Sequence, residues 1–401
     1  MPTAIVASDF NVEWRDKDNN LKGYLTPYLS KKPTWEWNRK GGCGACSITL
    51  AKGYRDLVFD ARDDIQIRIK SGATSKLVYR GYIADVTPTL QKDQTVILKV
   101  RGYFDLFKKM IVHDDGDLKT YTSQEVSVIV DDILDTFVTL NSPITKGTIN
   151  SGTFTPDSIQ FLTTVESALN TLADLTGDIE FGVGADLVFF WRTESTVIRH
   201  KFFAGVDIKV LERKVNYDSL INKVYLVGGE VAGVKFKRTA ENTDSQSQYY
   251  LSEDIVNNGS IVSSTVADEY LGSILRQKSS PQLSIRAQIP NTAKRFEDTV
   301  PIGLITFYDV HYDKDLSGDI VGDVIGEAAD GGSDIIVGLT ADGGSDVFVG
   351  GQYSAQVDRI SYELSNTPGR VNATIQFGET VLETASKIKR LELALSNLNQ
   401  Y

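Results

Sequence analysis

The sequence predicts a mainly β chain with α+β character: two β-rich halves, an α/β domain inserted between them and a C-terminal helix. Three observations predict it. Short alternating or β-branched runs, separated by Gly, Asp and Thr turns, fill both ends of the chain. Two stripes of apolar residues at 3-and-4 spacing lie between them, the periodicity of amphipathic helices. The last stretch carries an apolar heptad. With 401 residues, the chain is long enough for two to four domains at about 150 residues each. The 33 Gly against 10 Pro suit many tight turns between strands.

Residues 1–112 read as the first β domain. Trp14, Trp35 and Trp37 mark early aromatic strands, and Ser47–Lys52, Ile65–Lys70, Lys76–Val86 and Thr95–Arg101 follow. Ile65, Ile67 and Ile69 alternate with Gln66, Arg68 and Lys70, which gives one buried and one wet face. Short strands at this spacing suggest a small barrel or sandwich. Val100–Phe107 runs from a strand into a short helical turn.

Residues 113–203 read as the α/β domain. A capping box of Thr122 and Glu125 opens a helix to Phe137, with Val126, Ile129, Val130, Ile133 and Leu134 on its buried face. A second helix is expected to start at Thr155-Pro156-Asp157. Its stripe is Phe161, Leu162, Val165, Ala168, Leu169, Leu172 and Leu175, and Gly177 stops it. Ile179–Gly182 and Leu187–Trp191 then form a hairpin about Val183-Gly184-Ala185-Asp186.

Residues 204–379 form the second β half. Leu220–Gly229 is a strong strand, Glu241–Gln248 an expected exposed loop and Thr265–Gln277 a short helix. Within residues 320–352 a unit repeats: Ala329–Gly338 (ADGGSDIIVG) recurs as Ala341–Gly350 (ADGGSDVFVG). This reads as two strand–turn units with Asp-Gly turns. Residues 380–401 read as a coiled-coil helix. Val381, Ile388 and Leu395 take one seam position, and Thr384, Leu391 and Leu398 the other. A lone helix of this length is marginal in water. The seam therefore calls for partners: it either docks on the chain's own body or bundles with copies of itself, and a clasp of three copies through Val381, Ile388, Leu391, Leu395 and Leu398 is the favoured use.

The formal charge of −11, from 53 acidic and 42 basic residues, opposes a tight grip on nucleic acid, which needs clustered Lys and Arg. It is compatible with a surface past which DNA slides without sticking, because like charge repels. No apolar run reaches the roughly 18 residues of a membrane span, and the N-terminus lacks the pattern of a secretory leader. Two cysteines give no disulfide framework, so folding in a cytoplasm is expected.

Gly41–Ser47 (GGCGACS) looks like part of a plant-type two-iron cluster loop. That loop needs four thiolates, and the chain has only Cys43 and Cys46. His113, His200 and His311 show no zinc-ligand spacing near them. A Gly-rich turn into the strand Ser47–Leu50 is expected instead. Asp330/Asp334 and Asp342/Asp346 lack the spaced ligands of a calcium loop. No nucleophile, zincin or P-loop motif is present, so no catalytic residue, metal or cofactor is assigned.

The order of these parts resembles the hub proteins of tailed-bacteriophage baseplates and tail tips, and the hub portion of type VI secretion spikes. Trp35–Leu50 (WEWNRKGGCGACSITL), Tyr79–Ile83 (YRGYI), Val100–Leu106 (VRGYFDL), Phe154–Trp191 and Leu220–Gly229 (LINKVYLVGG) carry the resemblance, over roughly residues 10–380. It implies two related β-barrel-like tube domains per chain. It implies a homotrimer whose six tube domains match a six-fold tail tube above and a three-fold spike or fibre below. Expected partners are a tail tube or distal tail protein, a spike or fibre protein, the tape-measure protein, and genomic DNA passing through the lumen without specific binding. The implied place is the virion tail tip, assembled in the host cytoplasm. A tail-associated cell-wall hydrolase or a carbohydrate-binding tip module is the alternative. The chain runs only about 20 residues past its last expected strand, too few for an appended hydrolase domain.

Overall fold

The computed structural model describes residues 10–51, 57–60, 62–71, 74–88, 95–150, 154–177, 179–194, 198–203, 208–290, 304–310, 335–339, 345–364 and 371–381. Seven strands come first: β1 (Phe10–Arg15), β2 (Leu21–Tyr24), β3 (Thr34–Asn38), β4 (Lys40–Leu50), β5 (Asp64–Ser71), β6 (Thr74–Pro88) and β7 (Val96–Gly102). A 3-10 segment, Tyr103–Lys109, leads into β8 (Ile111–Val112) and β9 (Lys119–Thr122). Helix α1 (Val126–Ile133) continues as a π turn, Leu134–Val138, and is followed by β10 (Thr145–Ile149), β11 (Ser158–Phe161) and β12 (Thr163–Thr164). Helix α2 (Val165–Thr176) precedes β13 (Ile179–Val183), β14 (Val188–Thr193), β15 (Ile198–Phe203) and β16 (Val210–Asn216). Next come β17 (Lys223–Val231), β18 (Val234–Glu241), α3 (Thr243–Tyr249), β19 (Glu253–Asn257) and α4 (Ser264–Lys278). The last strands are β20 (Gln282–Ile289), β21 (Leu304–Val310), β22 (Ile335–Leu339), β23 (Ser345–Leu364) and β24 (Val371–Val381).

The N- and C-terminal strands share one sheet. Pairing runs β2–β1–β5–β6–β7–β4–β3, and β3 then pairs with β23, which continues through β24 and β20 to β16. Ile65, Ile67 and Ile69 are all inside, as expected, but the opposite face is not wet throughout: Gln66 is buried too and donates to Asp64 at 2.9 Å, Arg68 is half-buried, and only Lys70 is exposed. The three isoleucines lie in one core with Val12, Trp35, Ile48 and Leu98 from the first half and Ile289, Ile360 and Ile375 from the last. Each such side chain contributes about 1.5–3 kcal/mol by leaving water. That core binds together strands more than 300 residues apart along the chain.

A second core lies under α1, α2 and α4. It joins Phe104 and Phe107 to Ile129, Ile133, Leu169, Leu172, Phe181, Phe189 and Trp191, and draws in Val224, Leu226 and Leu271 from beyond residue 203. The expected hairpin is present as β13–β14, with Gly184 N–H bonded to the Val188 carbonyl at 3.0 Å. Helix α4 and strand β17 also match their expected places. Strands β22 and β23 pair antiparallel and include the Ile335–Gly338 and Val347–Gly350 segments of the repeat. Its Asp-Gly turns lie outside the described residues.

Several local expectations fail for identifiable reasons. The second helix starts ten residues later than Thr155, at Val165. Ile159 and Phe161 point inward from strand β11, where period two mimics the start of a helical stripe. Thr164 caps α2 instead, its side chain accepting from Ser167 N–H at 3.2 Å. Thr122 ends β9 and is paired with Ser158, so it caps nothing; α1 begins after Glu125 without a side-chain cap. The polar run expected as a loop at Glu241–Gln248 forms α3, capped by Asn242, which accepts from Ser245 N–H at 3.0 Å. No turn interrupts Gly41–Ser47, which lies wholly within β4. Finally, Thr380 and Val381 end β24 opposite Leu283 and Gln282. These β-branched residues extend the ladder, so Val381 is a strand residue and not the first seam residue of a helix.

Candidate assembly site

The Gly-Gly-Cys-Gly stretch is where the first sheet meets the β13–β14 hairpin. Strand β4 pairs parallel with β13, setting Gly41 opposite Gly182 and Gly42 opposite Val183. Gly42 sits at φ +73°, and a Cβ there would lie 2.2 Å from the Val183 carbonyl oxygen. A Cβ on Gly182 would lie 2.3 Å from the backbone of Gly41 and Gly42. Two backbones approach this closely only where side chains are missing. The glycines that resemble a cluster loop therefore weld the first sheet to that hairpin.

The same strand explains the cysteines. Residues three apart on a regular strand face opposite sides. Between Trp35–Cys46 and Trp37–Cys43 the register gains one residue on β4, a bulge at Gly44-Ala45. Both thiols thereby turn inward, free and almost fully covered. Burial pushes the Cys43 thiol up to about 12 and raises Cys46 further. Neither is a thiolate at neutral pH, so neither is poised for redox work. No group of three or more metal-ligating side chains occurs among the described residues.

Beside the junction lies a constellation that pattern reading missed. Two Arg-Gly-Tyr triplets, Arg80-Gly81-Tyr82 and Arg101-Gly102-Tyr103, stand on the adjacent strands β6 and β7, with Gly81 paired to Gly102. Asp64 accepts from Arg80 Nε at 3.1 Å and from the Tyr103 hydroxyl at 2.8 Å. Asp105 accepts from Arg101 at 3.1 Å and from the Tyr82 hydroxyl at 3.0 Å. Each carboxylate thus takes its arginine from one triplet and its tyrosine from the other, a crossed lock. Lys108 adds a further bond to Asp105 at 3.1 Å. Burial alone raises the Asp105 carboxyl, but the bonds from Lys108, Tyr82 and Arg101 outweigh it and hold it below 3.8. The signal available in the sequence was the repeated Arg-Gly-Tyr.

A shallow groove of about 750 Å³ runs over the outer face of β3, β4 and β7. Its cations are matched: Lys40 to Asp174 at 3.0 Å, Arg101 and Lys108 to Asp105, and Lys99 to Asp85 at 3.1 Å. A surface neutralised in this way offers phosphate no unpaired cluster of charge. A second cavity, about 450 Å³, opens between Trp35, Trp37, Leu77, Phe190 and Tyr362. The Nε1 donors of Trp35 and Trp37 have no hydrogen-bond partner among the described residues. Arg39 braces the strands below by ion pairs to Glu194 and Asp358. Of the expected seam, Val381 lies on β24, while Ile388, Leu391, Leu395 and Leu398 lie outside the described residues.

No sequence-family model and no curated protein matches the chain. Solved structures do. The 43 kDa tail protein of prophage MuSo2 from Shewanella oneidensis aligns over 92% of this chain and 98% of its own, with a TM-score of 0.56 at 11% identity. The tail protein from Neisseria meningitidis MC58 aligns over 92% and 96%, with a TM-score of 0.54 at 9% identity. Prophage tail protein gp18 from Listeria monocytogenes EGD-e aligns over 97% and 100%, with a TM-score of 0.52 at 10% identity. At such identities the agreement is one of fold. Over nearly its whole length, this chain has the mainly β, α+β fold of these tail proteins.

Proposed function

We propose that the protein is a structural hub of a phage tail tip or baseplate. In this reading it is a homotrimeric ring that adapts a six-fold tail tube to a three-fold spike or fibre and encloses part of the DNA conduit. The observation that carries the reading is the end-to-end agreement of fold with three tail proteins, two of them from prophages. Residues 1–112 are read as one tube domain, 113–203 as the α/β domain, and 204–379 as a discontinuous second β half that holds the other tube domain plus peripheral strands. Ile388, Leu391, Leu395 and Leu398 are read as a clasp below the ring. The acidic balance and the ion-paired outer groove support a surface along which DNA slides. The partners are a tail tube or distal tail protein, a spike or fibre protein and the tape-measure protein, and the site of action is the virion tail tip. No catalytic residue is assigned.

Light scattering across a concentration series tests the reading, followed by negative-stain imaging. The expected mass is three times 44.2 kDa, with ring-shaped particles that have a central hole. A chain that stays at 44.2 kDa throughout, and also fails to bind purified tail tubes, refutes it.

A further inference from the structure

Among the described residues, the small sheet β18–β17–β19 has two open edges of opposite character. Strand β18 presents Lys235, Lys237 and Arg238. Arg238 is held by Asp268 of α4 at 2.7 Å, while Lys235 and Lys237 make no ion pair among the described residues. Strand β19 opens with Glu253, which lies 3.7 Å from Lys223, and Asp254, which accepts from the Ile255 N–H at 2.8 Å. Both edges also expose aliphatic side chains, Val234 at 70% and Ile255 at 64%. An open edge displays unpaired N–H and C=O groups and is a template for another strand. Here the two edges of one sheet complement each other in charge, and each carries apolar surface.

We propose that β19 of one copy pairs with β18 of the next, head to tail, within the ring. The inference rests on the ring reading above and adds the contact by which copies join. Directions agree: β18 runs antiparallel to β17 and β19 parallel to it. Copies related by rotation about an axis along the strands therefore bring β19 against β18 antiparallel. A contact between two different surfaces generates a closed ring when its rotation closes. In the register that sets Glu253 opposite Lys237, Val256, half-buried on the second core, falls opposite the exposed Val234, and the exposed Ile255 falls against the aliphatic stem of Lys235. Opposite charge at the edges steers the encounter and rejects β18–β18 and β19–β19 pairing.

The test is oxidative cross-linking of the full chain carrying both Val234→Cys and Val256→Cys. The native thiols are buried and do not compete. Copies joined through these edges give covalent dimers and trimers, whereas each single-cysteine variant at the same dilution stays uncross-linked. Lys235→Glu with Lys237→Glu lowers the cross-linked fraction at least tenfold. Adding Glu253→Lys and Asp254→Lys restores it by re-forming the complement. Circular dichroism on each variant confirms folding. Glu253 also accepts from the Tyr225 hydroxyl, so the lysine-edge variant alone decides the role of charge if the other misfolds. A trimeric mass without cross-links overturns the edge contact and leaves the ring reading standing. An unchanged cross-linked fraction after charge reversal overturns the complementarity. A monomer at every concentration overturns the edge contact, and overturns the ring as well when purified tail tubes also fail to bind.

Discussion

Replacing Gly42 by Ala strikes the weld between the first sheet and the β13–β14 hairpin. Two penalties add. The residue sits at φ +73°, and an L side chain in the left-handed region costs about 1–2 kcal/mol. Its Cβ would lie 2.2 Å from the Val183 oxygen and 2.7 Å from the Val183 nitrogen, against an ordinary contact of 3.4 Å or more. Strands β4 and β13 have to part by over an ångström. Overpacking of this kind costs about 1–3 kcal/mol, and a stretched ladder bond about 1 kcal/mol more. The expected loss is about 3–6 kcal/mol, a large part of the stability of an ordinary domain. Gly116 is the internal control. It sits at φ +92°, and a Cβ there would meet nothing within 4 Å, so Gly116→Ala carries the backbone penalty alone. Urea unfolding followed by fluorescence suits the measurement, because Trp14, Trp35, Trp37 and Trp191 are all buried and report opening. If Gly42→Ala loses no more than 1 kcal/mol beyond Gly116→Ala, the close approach of β4 and β13 is wrong.

Three further outcomes are expected. Native protein should leave Cys43 and Cys46 unlabelled by a thiol reagent at neutral pH and label both in urea; Cys43→Ser with Cys46→Ser should cost about 1–3 kcal/mol per buried hydroxyl and leave the assembly mass unchanged. Fast labelling of the native chain, or a visible chromophore lost in the double variant, would contradict the buried reading. Leu391→Asp or Leu395→Asp should weaken trimer formation and leave the body folded, and an unchanged mass in light scattering would remove the clasp. The Asp105 carboxyl is lowered in the fold, so its contribution is present above the unfolded-state value near 3.9 and is lost as pH falls through the folded one. Asp105→Asn should therefore flatten the loss of stability on acidification from pH 5 to pH 3, and a melting profile as steep as that of the wild type would refute the crossed lock.

Local pattern was enough for the β-rich class and for the helices and strands with strong periodicity. Helix α4, strand β17 and the β13–β14 hairpin follow from spacing and turn chemistry, because one face of each is buried and the spacing records it. The start of α2 was not legible. Ile159 and Phe161 fit both a strand face and the first turn of a helical stripe, and only pairing with β9 chooses the strand. Val381 was read as a seam residue of the last helix, and only pairing with Gln282 of β20 makes it a strand residue. Long-range pairing decided the rest. Gly41 and Gly42 gain their meaning from their partners on β13, 141 residues later in the chain, which come close enough to forbid a side chain. The bulge that turns both cysteines inward arises from register against β3. The crossed lock needs Gly81 to meet Gly102 before either arginine reaches a carboxylate. The opposed edges of the small sheet exist only because β19 docks on the far side of β17 from β18. Residue spacing records which face of an element is buried, but not which backbone lies against it, and at this junction the neighbouring backbone sets the chemistry.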